Sequence, residues 1–159
     1  MSLTRFLSIF QTKVAFAHCD IPCGVYDPHN MQMAAHTIIR MTELLGKVDR
    51  KDEVKAEHDI ARITRVKEKH GDLLEDELGT LENDYFKPEH FSEYPKLKGL
   101  FEKGVKASIK ARQNIDLTAC EEALSITQEI AEIFFKTKGV TPVRVKSVYP
   151  TEREIVTHK

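Results

Sequence analysis

Three cysteines in 159 residues are too few to staple a disulfide-built scaffold. An excess of either charge is missing as well, since 24 Lys and Arg stand against 25 Asp and Glu for a formal net charge of −1. Such a balance offers no basic field to nucleic acid or to an acidic membrane surface, and blocks of like charge are absent. No uninterrupted apolar run approaches the ~20 residues of a membrane-spanning helix. Internal repeats, low-complexity tracts and any sign of a second domain are also lacking. What is left is a chain that is 41% hydrophobic and 31% charged, the composition of one soluble domain. At this length a single core buries roughly 70% of the unfolded chain's surface, so neither a metal nor a disulfide is needed to hold the fold. Any metal present serves chemistry.

The body of the chain carries helical periodicity. Asp27-Pro28 reads as an N-cap with proline at the first helical position, and Met31, Ala34, Ile38, Met41 and Leu45 recur at three-and-four spacing until Gly46. A second and longest helix starts near Lys51, with Ile60, Ile63, Val66, His70, Leu74, Leu78 and Leu81 on one stripe. Residues 84–91, DYFKPEHF, break the period with Pro88 and three aromatics, and are read as a packed connection. A third helix follows Pro95, presents Leu97, Leu100, Phe101 and Val105, and leaves at Gln113-Asn114. The fourth begins at Asp116 or at a capping box formed by Thr118 and Glu121, and carries Leu117, Cys120, Leu124, Ile130 and Phe134 up to Gly139. The expected fold is therefore all-α, an antiparallel four-helix bundle. Residues 140–159 hold two prolines and the alternating Val143, Val145 and Val148, and are expected to be an extended or disordered tail, with a crossing onto a neighbouring subunit as the other option.

Residues 1–17, MSLTRFLSIFQTKVAFA, have the composition of a processed leader: basic Arg5 and Lys13, apolar Phe6, Leu7, Ile9 and Phe10, and the small-residue ending Ala15-Phe16-Ala17. Gln11, Thr12 and Lys13 interrupt the apolar stretch that a secretory signal needs. Directly after this boundary comes HCDIPCGVYDP, residues 18–28, the one place where reactive side chains crowd together. Cleavage after Ala17 would give His18 a free α-amine beside its imidazole. That amine, the backbone nitrogen of Cys19 and the sulfurs of Cys19 and Cys23 could close around one ion as an N2S2 plane. Planar nitrogen and sulfur donors point to Ni(II) or Cu(II) rather than tetrahedral zinc. Pro22 fixes one φ and Gly24 permits a tight turn, which a loop with three residues between thiols requires. Thiolates and an amidate donate strongly and would stabilise a higher oxidation state, making one-electron chemistry accessible. A bare C-x3-C is equally compatible with a reversible dithiol or with a partial zinc site completed elsewhere.

The run HCDIPCGVYDP behind a processing-type leader resembles the nickel-binding hook of nickel superoxide dismutases, and DYFKPEHF at 84–91 resembles that family's second characteristic segment. The resemblance spans residues 18–138. It implies a leader at 1–17 removed on maturation, a four-helix domain at 18–139 with an N-terminal metal-binding hook, and a tail at 140–159. It implies a nickel cofactor that alternates between Ni(III) and Ni(II) while superoxide is converted to O2 and H2O2, a homohexamer, and a leader-processing protease. Carried over residue by residue, His18, Cys19 and Cys23 are the metal ligands, Tyr26 borders the open axial face, Asp20 holds the hook by hydrogen bonding, and Tyr85 and Lys87 line or buttress the site. The alternative is a helical zinc- or copper-binding protein, or a thiol redox switch, without turnover. Free thiols and a broken leader favour the cytoplasm, with an organelle as the other destination.

Two positions depart from the resembled pattern. The glutamate and arginine that steady the axial imidazole in bacterial members fall at Ala34 and His70 here, which makes His70 a supporting residue for His18 at most. Cys120, on the inner face of the last helix, reads as a structural hydrophobe. His29, His36, His58, His90 and His158 form neither a Glu-x-x-His nor a His-x3-His pair, so carboxylate-bridged and helical zinc sites lack support.

Overall fold

The computed structural model describes residues 23–159. Helices α1 (His29–Leu45), α2 (Glu53–Thr80), α3 (Pro88–Glu93), α4 (Leu97–Gln113) and α5 (Leu117–Thr137) precede strands β1 (Pro142–Lys146) and β2 (Glu154–His158). Helix α1 packs on α2 and α5, and α4 packs on the same two, so the four long helices form a square bundle. Its core is built from the expected apolar faces, with Met31, Ile38, Leu74, Leu78, Phe101 and Ile130 fully enclosed. Cys120 is buried as expected, its sulfur 3.3 Å from the Thr42 hydroxyl.

Helix starts follow the carboxylates. Asp52 accepts from the Lys55 amide, and Asp116 accepts from the Ala119 amide at 3.2 Å, so Asp116 rather than a box at Thr118 opens α5. At α1 the cap lies one residue later than expected: Pro28 is the N-cap and Asp27 reaches over it to the His29 amide at 2.7 Å. Gly139, at φ +75°, closes α5 in the left-handed conformation that a side chain resists.

The apolar stripe of α2 runs differently from the expectation. Leu74, Leu78 and Leu81 are buried, but Val66 is 37% exposed and the inner row continues through Gly71 and Lys67. Gly71 is there because α4 comes close: a Cβ would stand 2.5 Å from Cδ of Arg112. Lys67 is tolerated inside because its ammonium donates to the carbonyls of Arg112, at 3.1 Å, and Asn114, at the negative end of α4. Burial still pushes its pKa down. A charge count cannot foresee a lysine used as a helix cap from a neighbouring helix.

The segment at 84–91 is more regular than a connection. Leu81–Tyr85 forms a π-helical turn, closed by the Phe86 amide on the Leu81 carbonyl at 2.9 Å, and Pro88 then starts α3 at the position where its missing N–H costs nothing.

The tail, too, departs from the expectation: residues 140–159 fold back as an antiparallel hairpin on their own bundle, against α5 and α1. The Ser147 amide bonds the Arg153 carbonyl and the Lys159 amide bonds the Thr141 carbonyl, both at 3.0 Å. Alternation then turns the backbone groups of Glu154 and Val156 outward, toward the helices. Gln32 on α1 meets both groups of Val156, accepting from its N–H at 2.7 Å and donating to its carbonyl at 3.0 Å. Gln128 on α5 donates to the Glu154 carbonyl at 2.6 Å. Arg153 bridges Glu43 of α1 and Glu121 of α5, and Arg144 pairs with Glu132. Single-sequence patterning sees only alternating valines; what orders this hairpin is a set of polar side chains on helices far away in sequence.

His36 is a further enclosed anchor, 3% exposed. Its Nε2 donates to the Glu154 carbonyl at 3.2 Å, which leaves Nδ1 to accept from the Thr151 hydroxyl at 2.7 Å, and the Tyr149 ring packs edge-on at 5.1 Å. Both nitrogens are satisfied by the neutral ring. Burial, seconded by the Arg153 charge and opposed by the Glu154 carbonyl and the Glu121 carboxylate, lowers its pKa from 6.5. The unfolded chain therefore takes up this proton first. Stability contributed by His36 is present above about pH 6.5, declines as pH falls below it, and levels off once the folded-state imidazole is itself protonated. Denaturant titrations at several pH values should show this slope in the native chain and its loss in His36→Gln. His36→Ala, which strands Thr151 and Glu154, should cost about 1–3 kcal/mol at neutral pH.

Candidate metal centre and its aromatic wall

Cys23 is an exposed free thiol at the head of an extended stretch that runs into α1. Gly24 turns the chain at φ +69°, and Val25 is 86% exposed. Two residues tie this neck to the bundle. Pro28 is buried, and the half-buried Tyr26 lays its ring against that of Tyr85, centroids 5.6 Å apart. The neck thus presents a thiol to solvent three residues ahead of a ring that packs on the bundle.

Tyr85 is the centre of that wall. It is the last residue of the π-turn, whose extra residue per turn swings it off the face of α2. Its ring contacts Phe134 at 4.5 Å and Phe86 at 4.9 Å, and stacks on His90 at 5.9 Å and 19°. The hydroxyl lies 2.7 Å from Oγ1 of Thr137. Burial raises its pKa, with the Thr137 hydrogen bond opposing, so it stays a phenol through the neutral range. The Lys138 ammonium sits 4.7 Å from the ring centroid, within reach of a cation–π contact.

Lys87 follows on the same segment. Its amide donates to Nδ1 of His90 at 3.1 Å, which places the neutral His90 proton on Nε2, and its ammonium donates to the Asp84 carbonyl at 3.1 Å. Lys87 is exposed and supplies positive charge to this end of the molecule.

Of the residues picked out by sequence, Tyr26, Tyr85 and Lys87 come to one end of the bundle. His18, Cys19 and Asp20 lie outside the described residues. His70 is half-buried on α2 with Nδ1 on its own helix's Val66 carbonyl at 2.8 Å, and Ala34 is sealed in the core. Among the described residues no group of three or more His, Cys, Asp or Glu could hold a metal ion. The residues around Tyr85 that sequence reading passed over are Thr137, Lys138 and His90. Thr137 and Lys138 sit at the end of α5, where they looked like helix punctuation.

A bundle with its own complete core, preceded by a neck that carries an exposed thiol, belongs to the all-α class of four-helix proteins. The model of the nickel-containing superoxide dismutase family matches residues 13–138. The chain is 37% identical over 131 residues to the nickel superoxide dismutase of Streptomyces seoulensis, covering 82% of this chain and 95% of that protein. It is 35% identical to that of Streptomyces coelicolor over the same shares. A solved nickel superoxide dismutase with the nickel ligation of the oxidised state superposes with a TM-score of 0.69 at 36% identity, covering 77% of this chain and 99% of that one. An apo structure is matched almost as well, with a TM-score of 0.67 at 32% identity over 73% and 99%. The chain belongs to the nickel-containing superoxide dismutase family. That membership sets aside the reading of a zinc or copper binder or thiol switch without turnover. The hairpin lies beyond the matched region, which ends at residue 138.

If the Tyr26–Tyr85 contact is what seats the neck, the two rings should be energetically coupled. A double-mutant cycle of Tyr26→Ala and Tyr85→Ala, read by denaturant unfolding, should return a coupling of about 0.5–1.5 kcal/mol, and zero coupling would mean the neck is held elsewhere.

Proposed function

We propose that this chain disproportionates superoxide to O2 and H2O2 with nickel held by His18, Cys19 and Cys23. The observation that carries the placement is the exposed, free Cys23 thiol, three residues ahead of a tyrosine packed on the Tyr85 wall. The donor chemistry fits the metal: two thiolates and two nitrogens in a short loop favour a planar ion. Bound there, nickel supplies a one-electron couple, Ni(III)/Ni(II), that accepts an electron from one superoxide and returns it to the next.

The chain's own residues do the rest. Cys19 and Cys23 present sulfur, and His18 presents its α-amine once the bond after Ala17 is cut, with its imidazole as a further donor. Asp20 holds the loop by hydrogen bonding. Tyr26 stands between the ligand loop and the bundle, where it limits access to small molecules and orders the water that delivers the two protons of peroxide. Tyr85 fixes Tyr26 from behind. Lys87, exposed beside the wall, raises the positive potential met by an anionic substrate.

A homohexamer is the assembly we infer. A leader-processing protease is required by the amine ligand. No described helix is long and apolar enough to cross a membrane. The cytoplasm suits two reduced thiols, with an organelle as the other destination of the leader.

Metal analysis combined with intact mass tests the placement: stoichiometric nickel is expected on a chain beginning at His18. Cys19→Ser and Cys23→Ser should each abolish nickel binding and dismutation while helical circular dichroism is retained, because the core is complete without the loop. Tyr26→Phe should keep nickel and change turnover or saturation. Replacing Ala17 by Glu to block cleavage should leave a folded, inactive protein. Full activity in the uncut chain would overturn the amine-ligand role.

A further inference from the structure

The end of α5 fixes which way the Tyr85 hydroxyl points its proton. Thr137 Oγ1 lies 2.7 Å from the Phe134 carbonyl and 2.7 Å from the Tyr85 hydroxyl. A carbonyl oxygen cannot donate, so the single threonine proton belongs to Phe134; placed elsewhere, two lone-pair oxygens would face each other at 2.7 Å. The proton between Tyr85 and Thr137 must then come from Tyr85. Its hydroxyl oxygen is left with acceptor capacity only. The Lys138 ammonium lies over the same ring, 4.7 Å from its centroid and 5.5 Å from that of Phe134.

We propose that Thr137 is a positioning residue for dismutation, which by taking the Tyr85 proton makes Tyr85 an acceptor toward the site and reserves anion contact for other donors. Lys138 supports the same arrangement by bracing the ring. This rests on the reading that Tyr26 and Tyr85 border the nickel loop. The physical logic is one of product release. A phenol free to donate would bind any small anion that reaches the wall, including superoxide and hydroperoxide, in ground states where binding does not speed the reaction. Spending that proton on Thr137 removes an anion trap without removing the ring that seats Tyr26.

The test uses mature nickel-loaded protein with Thr137→Val, Thr137→Ser and Lys138→Met. Thr137→Val deletes the acceptor at near-constant volume and leaves the Tyr85 proton available. It is expected to bind nickel fully, to lower the inhibition constant for azide, used as an unreactive small anion, by about 3- to 10-fold (~0.7–1.4 kcal/mol), and to lower kcat more than kcat/KM. Thr137→Ser should restore both, and Lys138→Met should shift azide inhibition in the same direction by a smaller factor. Thr137→Val combined with Tyr85→Phe, which has no proton to release, should lose the gain in azide affinity. If Thr137→Val lowers thermal stability while azide inhibition and the kinetic split stay at wild type, Thr137 is merely structural and the proposal fails. The underlying reading fails separately, and visibly, if Tyr26→Phe and Tyr85→Phe both leave the kinetics of the nickel-loaded protein untouched.

Discussion

The contact between Tyr26 and Tyr85 is what the rest of this molecule is arranged to support. One ring comes from the six-residue neck before α1, the other from a π-turn after α2, and 59 positions separate them. The neck needs a fixed point on the bundle, and two aromatic rings packed at a tilt of 53° supply it at small entropic cost because each has only two side-chain torsions to order. The π-turn brings Tyr85 into place, Phe134 backs it, and Thr137 and Lys138 fix its hydroxyl and its face. Every element of the wall belongs to the bundle, so its geometry is set by the packing of the helices.

The bundle separates its polar obligations from its chemistry. Lys67 caps α4 from inside, Gln32 and His36 hold the hairpin, and Asp52 and Asp116 open their helices. None of these groups touches the tyrosine wall. The hairpin, which continues past the region shared with the family, is fastened at the α1–α5 face by backbone groups that would otherwise form an open sheet edge. One edge of the two-stranded sheet is thereby sealed with side-chain amides. The other carries Pro142, Arg144 and Lys146, residues that discourage pairing with another chain.

Much of this was legible in the residues themselves. Helical periodicity located α1, α2, α4 and α5, because one face of each had to be apolar to form a core, and Asp116 marked the start of α5. The crowding of His18, Cys19 and Cys23 behind small residues pointed to a nickel enzyme, and that is the family to which the chain belongs. Lys67 lies off the apolar stripe that periodicity picks out, and only the approach of α4 provides the carbonyls that make its burial tolerable. The hairpin was misread as a loose tail, since its partners Gln32, His36 and Gln128 look like ordinary polar residues on helix faces.

By itself the sequence determined the family and the bundle, both of which follow from local patterns: a short motif of reactive residues, and a hydrophobic period of 3.6. Tertiary structure decided which aromatic would meet Tyr26, which way the Tyr85 proton would point, and where the last twenty residues would lie. Those outcomes depend on atoms from different helices arriving within hydrogen-bonding distance, and a linear order of residues carries no distances between its distant parts.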